Sequence, residues 1–224
     1  MEFFLDTASI DDIKKWQPFG VVQGVTTNPS LLSKEDAEPL EQLKKIASLV
    51  EGPVSAQVTF RSHEEMIKQA KGLSKIANNI VVKFPSTLEG YYAAKLAIED
   101  NISCNITLTF DPSQAIAFGM LPVTYISLII GREEDFGLHN LERISETRQV
   151  LDSLKSSTKL LAASIRNTHH LKAAIIGGAD IITIPPITWH NIYNNPQSIS
   201  GEIDFFKAWK SIPNALREKY ENIT

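Results

Sequence analysis

The chain has very little cysteine, because Cys104 is the single one among its 224 residues. One cysteine excludes a disulfide bond within the chain, and an unpaired thiol is typical of proteins kept in a reducing compartment. The apolar residues around Cys104 indicate a structural thiol. We therefore expect a cytoplasmic protein.

Long apolar runs and basic clusters are also missing. No apolar run reaches the roughly 18 residues that span a bilayer, and residues 1–6 lack the basic and apolar regions of a signal peptide. The formal net charge of −4 and the pI near 5.8 argue against a nucleic-acid-binding surface. We expect neither membranes nor nucleic acids as partners.

Two cofactor signatures are absent as well. The first predicted strand is not followed by the glycine-rich G-x-G-x-x-G turn of dinucleotide-binding folds. His169 and His170 are adjacent, so they cannot share one face of a helix. The spacing of His63, His139 and His190 is not that of metal ligands. The sequence thus predicts neither a cofactor nor a metal ion.

What the sequence does contain is a regular alternation of two patterns. Hydrophobic residues make up 43% of the chain, enough for one sizeable core. Short β-branched segments alternate with segments of helical spacing. The predicted strands are 2–6, 21–26, 54–58, 80–85, 102–108, 123–130, 159–163 and 181–184. The predicted helices start after Ser9 and near Pro29, and further helices cover 40–50, 63–77, 87–98, 112–118, 138–154, 168–176 and 203–220.

Eight alternations of strand and helix predict an α/β fold, a single (β/α)8 TIM barrel over residues 1–224. Residues from about 201 are expected to form a C-terminal helical extension, which Pro213 should bend or break. A doubly wound open sheet is the alternative. The missing glycine-rich turn disfavours it.

The fourth predicted strand carries Lys83 among β-branched and aromatic residues. Burial disfavours the charged ammonium group and therefore lowers its pKa. A neutral lysine amine is a nucleophile that can form a Schiff base with a carbonyl group. An isolated strand lysine more often extends its ammonium group to water, so the other strand ends must decide between these two interpretations.

Polar residues lie at the ends of most of the other strands, where barrels of this type place their active sites. They are Asp6, Thr26, Asn28, Gln57, Asn105, Thr107, Ser127, Arg132, Ser164 and Arg166. Each alone has an ordinary structural explanation, such as a helix cap or a turn. Together, two arginines, several hydroxyls and a carboxylate predict an anion-binding pocket around Lys83. Lys159 begins its strand and is therefore expected at the other end of the barrel, where the strands start.

Five stretches of the chain resemble the short form of the transaldolase family, which also contains the fructose 6-phosphate aldolases. The stretches are 5–7, 24–30, 82–85, 104–108 and 162–167. The Thr-Thr-Asn-Pro-Ser sequence at 26–30, combined with a lysine at the end of the fourth strand, is highly specific. The resemblance covers nearly the whole chain.

The resemblance implies a role for each candidate residue. Lys83 would form the Schiff base and Asp6 would act as general acid and base. Gln57 and Thr107 would hold the water that relays protons. The implied substrate-binding residues are Thr26, Asn28, Asn105 and Ser127 for the hydroxyls, and Arg132, Ser164 and Arg166 for the phosphate.

The implied enzyme is a metal-independent transaldolase that moves a dihydroxyacetone unit between sugar phosphates of the pentose phosphate pathway. A fructose 6-phosphate aldolase, which releases free dihydroxyacetone, is an alternative. A barrel that binds sugar phosphates without turnover is another. Short members of the family form ring-shaped homo-oligomers, so the resemblance also implies a homo-oligomer.

Two positions bear on the choice between transfer and release. In the family that the chain resembles, the sixth strand usually ends Ser-Pro-Phe or Ala-Pro-Tyr before the arginine, whereas residues 127–132 of this chain read Ser-Leu-Ile-Ile-Gly-Arg. The family's usual Ala-Gly-Ala before this strand is replaced by Met-Leu-Pro at 120–122. Ile129 therefore lacks the hydroxyl that the resemblance implies for the aldolases. Gln57 points the other way, since the aldolases tend to carry glutamine and the transaldolases glutamate. Release requires proton delivery, so the missing hydroxyl weighs more and transaldolase is the leading interpretation.

Overall fold

The computed structural model describes residues 1–137 and 140–223, and its central feature is a closed barrel of eight parallel strands. The strands are β1 (Glu2–Asp6), β2 (Val25–Thr26), β3 (Val54–Gln57), β4 (Ile80–Pro85), β5 (Cys104–Thr109), β6 (Tyr125–Ile129), β7 (Lys159–Ala163) and β8 (Ile181–Ile184). Each strand pairs with the next, and β8 pairs with β1 to close the barrel. The predicted barrel is confirmed, and the doubly wound sheet is excluded.

Helices follow the strands along the described chain. They are α1 (Ile10–Trp16), α2 (Pro29–Leu32), α3 (Pro39–Leu49), α4 (His63–Leu73), α5 (Leu88–Glu99), α6 (Ala115–Gly119), α7 (Arg143–Ser153), α8 (Thr168–Ile176), α9 (Pro186–Tyr193), α10 (Pro196–Ser211) and α11 (Asn214–Glu221). Short 3-10 helices cover Gln17–Phe19, Pro112–Gln114 and Gly131–Phe136. Ser9, Ser62, Thr87 and Asn167 accept backbone hydrogen bonds as N-caps, which fixes where α1, α4, α5 and α8 begin.

Some predicted boundaries differ from the observed ones. Strand β2 is shorter than predicted, because the side chain of Gln23 accepts the hydrogen bond of the Phe3 N–H (2.8 Å) and delays the start of the regular ladder. Helix α4 ends at Leu73 rather than near 77, directly after Gly72, a poor helix former. Helix α7 begins at Arg143 rather than 138, and residues 138 and 139 lie outside the described residues.

The C-terminal region contains more helices than predicted. No predicted helix covers α9, which begins directly after β8 with Pro186 in its first turn, where proline is well tolerated. The predicted break at Pro213 is confirmed, since α10 ends at Ser211 and α11 begins at Asn214. The single predicted helix is thus two helices.

Alternate residues of each strand face the inside of the barrel. A buried apolar cluster there consists of Phe4, Val81, Tyr125, Leu161 and Ile181. The rings of Phe4 and Tyr125 meet edge to face with centroids 6.0 Å apart. Gly24 makes room for Phe4, because a Cβ at position 24 would lie 2.7 Å from the phenyl ring. The residues two positions further along these strands face the same interior, nearer the carboxyl ends.

The chain divides into two compact units, residues 1–188 and residues 189–224. The first contains the barrel. The second contains α10 and α11, where the Trp209 and Tyr220 rings pack with centroids 5.0 Å apart and the Trp209 indole donates a hydrogen bond to Glu221 (2.9 Å). Within the described residues, no helix combines the length and the apolar character needed to cross a bilayer.

Candidate active site

A cavity of about 280 Å³ lies at the carboxyl ends of the strands. Most of the predicted site residues line it: Asp6, Thr26, Asn28, Gln57, Lys83, Thr107, Ser127, Arg132 and Ser164. The lining also includes Pro29, Ser30, Leu108, Ile129, Leu161, Ala163 and Thr183. Asn105 and Arg166, which were also predicted, are not among the lining residues.

Lys83 lies near the end of β4, and only 6% of its surface is exposed. Its Nζ donates a hydrogen bond to the Thr27 carbonyl oxygen (3.0 Å). Burial lowers the pKa of Lys83 from 10.5 to about 8; the Asp6 charge raises this pKa and the Arg132 charge lowers it further. About a tenth of such a side chain is a neutral amine at pH 7, so Lys83 is suited to act as a nucleophile.

Asp6 ends β1 on the same interior face. Burial raises its pKa above the usual 3.8, while the Thr26 hydrogen bond and the Lys83 charge oppose that rise. The Thr26 hydroxyl donates to Asp6 Oδ1 (2.7 Å) and lies 2.6 Å from the Thr183 hydroxyl. Because the Thr26 proton points to Asp6, Thr183 is the donor in the second bond. A raised pKa makes Asp6 a better proton acceptor.

Thr183 was not predicted as a site residue. It is the one polar residue of the otherwise apolar β8 sequence Ile-Ile-Thr-Ile. A hydroxyl in such a strand, next to its carboxyl end, was the signal that could have identified it.

Two residues of the lining have unusual backbone geometry. Leu108 and Ser164 adopt φ angles of 59° and 61°, in the left-handed region that residues other than glycine rarely occupy. Leu108 lies in an irregularity of the β5–β6 pairing, between Ile106 and Thr109. Such bulges redirect neighbouring side chains, and strained conformations of this kind cluster at functional sites.

Asn28 and Asn105 hold different positions. Asn28 lines the cavity and caps α2, because its Oδ1 accepts the Leu31 N–H (3.0 Å). Its Nδ2 is therefore the group that can donate to a ligand. Asn105 is fully buried; it donates to the Ser55 hydroxyl (3.2 Å) and accepts from the Ser127 hydroxyl (2.7 Å). Asn105 thus holds the Ser127 hydroxyl, which itself lines the cavity. Direct contact between Asn105 and a substrate hydroxyl stays a prediction.

The two predicted phosphate-binding arginines also differ. Arg132 lines the cavity, as does Ser164. Arg166 forms a two-point ion pair with Asp135, in which Nη2 lies 2.8 Å from Oδ2 and Nη1 contacts Oδ1. The hydrogen bonds from Arg166, and the charges of Arg166 and Arg132, lower the pKa of Asp135. Asp135 was not predicted, and no spacing along the chain indicates this pair.

One group of side chains in the described part of the chain has ligand atoms close enough to share a metal ion: His63, Glu64 and Glu89. It lies on α4 and α5, and none of its members lines the cavity. His63 Nδ1 is 2.7 Å from Glu89 and its Nε2 is 3.3 Å from Glu64, so both ring nitrogens already contact carboxylates. Sequence spacing did not reveal the group, because Glu89 comes from a different helix.

Comparison with known proteins gives a consistent family assignment. Residues 3–222 match the family model described as Transaldolase/Fructose-6-phosphate aldolase. A "Probable transaldolase" from Lactiplantibacillus plantarum is 42% identical over 211 residues, which covers 94% of this chain and 97% of the relative. A "Probable transaldolase" from Rhizobium meliloti is 41% identical over 209 residues, with 93% and 96% covered.

A solved structure from Burkholderia cenocepacia, whose name suggests a phosphonomutase, superposes on this chain with a TM-score of 0.57. The superposed region covers 89% of this chain and 92% of the solved structure's chain, at 12% sequence identity. At that identity the likeness concerns the barrel fold alone.

Proposed function

The chain belongs to the transaldolase/fructose-6-phosphate aldolase family and is a transaldolase, and we propose that Lys83 carries its reaction as a Schiff base. The observation that carries this proposal is a buried lysine with a pKa of about 8, in a cavity that also contains Asp6 and Arg132. The same observation argues against a barrel that binds sugar phosphates without turnover, since mere binding does not require a nucleophile.

The reaction begins when the neutral Nζ of Lys83 attacks the C2 carbonyl of a ketose phosphate. Loss of water gives an iminium ion, which withdraws electrons from the C3–C4 bond. Asp6 takes the proton of the C4 hydroxyl, the bond breaks, and an aldose phosphate leaves. The remaining three-carbon unit stays on Lys83 as an enamine, so one difficult step becomes two easier ones.

The other lining residues have supporting roles in this proposal. Gln57 and Thr107 hold the water that relays protons, while Thr26 keeps Asp6 in place through its 2.7 Å hydrogen bond. Asn28, Asn105 and Ser127 bind substrate hydroxyls, and Asn105 also accepts a hydrogen bond from the Ser127 hydroxyl (2.7 Å). The phosphate binds at Arg132 and Ser164, with Arg166 as the second arginine. No step requires a metal ion or a cofactor.

The fate of the enamine separates a transaldolase from an aldolase. Ile129 lines the cavity and is 7% exposed. Its side chain has no hydroxyl to activate water, so the enamine persists until an aldose phosphate accepts the three-carbon unit. The transfer reaction is therefore favoured over release of dihydroxyacetone.

Product analysis with fructose 6-phosphate tests this proposal. Fructose 6-phosphate alone should yield glyceraldehyde 3-phosphate slowly. Added erythrose 4-phosphate should increase the rate of its formation about tenfold or more, which corresponds to an activation barrier lower by about 1.4 kcal/mol. Ile129→Tyr should raise the acceptor-free rate, while Ile129→Phe, which adds a ring without a hydroxyl, should not. Free dihydroxyacetone released equally fast without acceptor would establish the aldolase instead.

The setting of the enzyme is part of the same proposal. We place it in the pentose phosphate pathway in the cytoplasm, with sugar phosphates as its partners and neither nucleic acid nor membrane. We also propose a homo-oligomer, because the second unit exposes large apolar side chains, among them Phe205, Phe206 and Leu216. Sedimentation of the full chain at the monomer mass would refute the oligomer.

A further inference from the structure

The two arginines proposed for the phosphate are held differently in the structure. Arg132 lines the cavity. Arg166 forms its two-point ion pair with Asp135, and the charge of Arg132 also acts on Asp135. The carboxylate of Asp135 therefore balances the positive charge of the same two arginines that would bind the substrate phosphate.

Gly131 lets the segment after β7 pack closely against the segment that carries Arg132. Its N–H donates to the Ser164 carbonyl oxygen (3.1 Å), and a Cβ at this position would lie 2.9 Å from Arg166 Cγ and Cδ. The stem of Arg166 thus packs directly beside the backbone that precedes Arg132. Asp135 lies on the same 3-10 helix as Arg132. Asp135 thus lies close to both guanidinium groups, so rotation of the Arg166 side chain would suffice to exchange Asp135 for a phosphate held by Arg132.

The ion pair is open to solvent, since 40% of the Arg166 side chain and 53% of the Asp135 side chain are exposed. Exposed ion pairs are weak, because water screens the charges and ordering the side chains costs entropy. A phosphate dianion carries more charge than a carboxylate and binds arginine at two points with comparable geometry. A phosphate held by Arg132 can therefore displace Asp135 from Arg166.

We propose that Asp135 is a specificity-determining residue that competes with the substrate phosphate for Arg166. Without substrate, the carboxylate holds the guanidinium, and a bound phosphate exchanges for it. Because a phosphate must displace Asp135 to reach Arg166, the ion pair lowers the affinity for phosphate. A substrate without a phosphate leaves the pair intact. Asp135 therefore narrows the difference in KM between phosphorylated and unphosphorylated substrates. This inference rests on the proposed function, which places the substrate phosphate at Arg132.

Binding of inorganic phosphate to the full-length enzyme, measured by titration calorimetry, tests the competition without requiring turnover. Asp135→Asn removes the charge and should tighten phosphate binding about two- to fivefold, the range expected for loss of an exposed ion pair. The gain should vanish when Asp135→Asn is combined with Arg166→Gln. Asp100→Asn is the matched control, because Asp100 forms a similarly exposed ion pair with Lys71 (2.9 Å) and does not line the cavity; it should leave phosphate binding unchanged.

Kinetics provide the second measurement. Asp135→Asn should lower KM for a phosphorylated acceptor and leave KM for glyceraldehyde unchanged, with little change in kcat. Unchanged or weaker phosphate binding in Asp135→Asn would overturn the inference, since the carboxylate would then be irrelevant or would orient Arg166 for phosphate. Failure of the proposed function is distinguishable, because it would appear as a missing covalent adduct on Lys83 while the phosphate titrations would still report on Asp135.

Discussion

The middle of the barrel interior is apolar and its end at the carboxyl ends of the strands is polar, although the same strands form both layers. Phe4 precedes Asp6 by two residues on β1, and Val81 precedes Lys83 by two residues on β4. Side chains two apart on a strand face the same way. The apolar layer therefore forms the floor on which the polar groups of the cavity lie.

The two lysines that belong to strands illustrate the difference between the ends of the barrel. Lys159 is the first residue of β7; 49% of its side chain is exposed, and its Nζ lies 2.6 Å from Glu2 Oε1. Lys83 lies near the end of β4 and is buried, with a pKa of about 8. Both are strand lysines on interior-facing positions, and burial is the main cause of the lowered pKa that suits Lys83 to act as a nucleophile.

The largest effect should come from replacing Lys83 by methionine, and the same replacement of Lys159 is the control. Lys83→Met removes the nucleophile and should reduce kcat by about a thousandfold or more, as expected for loss of covalent catalysis. Lys159→Met removes an exposed ion pair and should change kcat less than about twofold. Comparable losses of activity in both variants, measured on folded protein, would erase the distinction between the two ends.

The apolar floor should govern stability rather than chemistry. Phe4→Ala leaves a cavity in the cluster and should lower the free energy of unfolding by about 3–5 kcal/mol. Urea unfolding followed by circular dichroism measures this change. At low urea the variant should still form the covalent adduct on Lys83. A drop of less than about 1 kcal/mol would show that the floor does not support the barrel.

Arg132 should govern binding of phosphorylated substrates. Charge-assisted hydrogen bonds contribute about 1.5–3 kcal/mol each, so Arg132→Ala should raise KM for a phosphorylated acceptor about ten- to a hundredfold. KM for glyceraldehyde should change little. Equal increases for the two acceptors in steady-state kinetics would mean that Arg132 holds the cavity in shape instead of binding phosphate.

The smallest effect concerns the pH dependence of kcat/KM. In the proposed mechanism only the neutral amine of Lys83 attacks, so kcat/KM should rise with pH and level off above about pH 8, in line with the pKa of Lys83. Arg132 lowers this pKa, so Arg132→Gln should move the rise to higher pH. Arg132→Lys keeps the charge and should leave the rise in place. A shift to lower pH in Arg132→Gln would contradict the assigned charge effect.

The sequence predicted the fold well where the pattern is local. The bounds of β4, β7 and β8 agree with the prediction, because continuous runs of β-branched and other apolar residues mark buried parallel strands. The predicted start of β2 was wrong, since the observed start depends on a hydrogen bond from the Phe3 N–H to the Gln23 side chain, 20 positions away. A contact of that kind leaves no mark in the local pattern.

The same limit applies to the site. Strand ends identified Lys83, Asp6 and most of the lining, because parallel strands bring their carboxyl ends to one edge. Asp135 could not be identified, since its ion pair with Arg166 spans 31 positions and arises where a 3-10 helix meets the loop after β7. Nor could the burial of Asn105 beneath Ser127, which depends on how three strands align.

Trapping of the covalent intermediate tests the central claim most directly. The enzyme is incubated with fructose 6-phosphate, reduced with borohydride, digested and analysed by mass spectrometry. We predict a reduced three-carbon adduct on the peptide that contains Lys83 and none on the peptide that contains Lys159. An adduct confined to other lysines, or turnover without any adduct, would contradict the assignment of Lys83 as the Schiff-base residue.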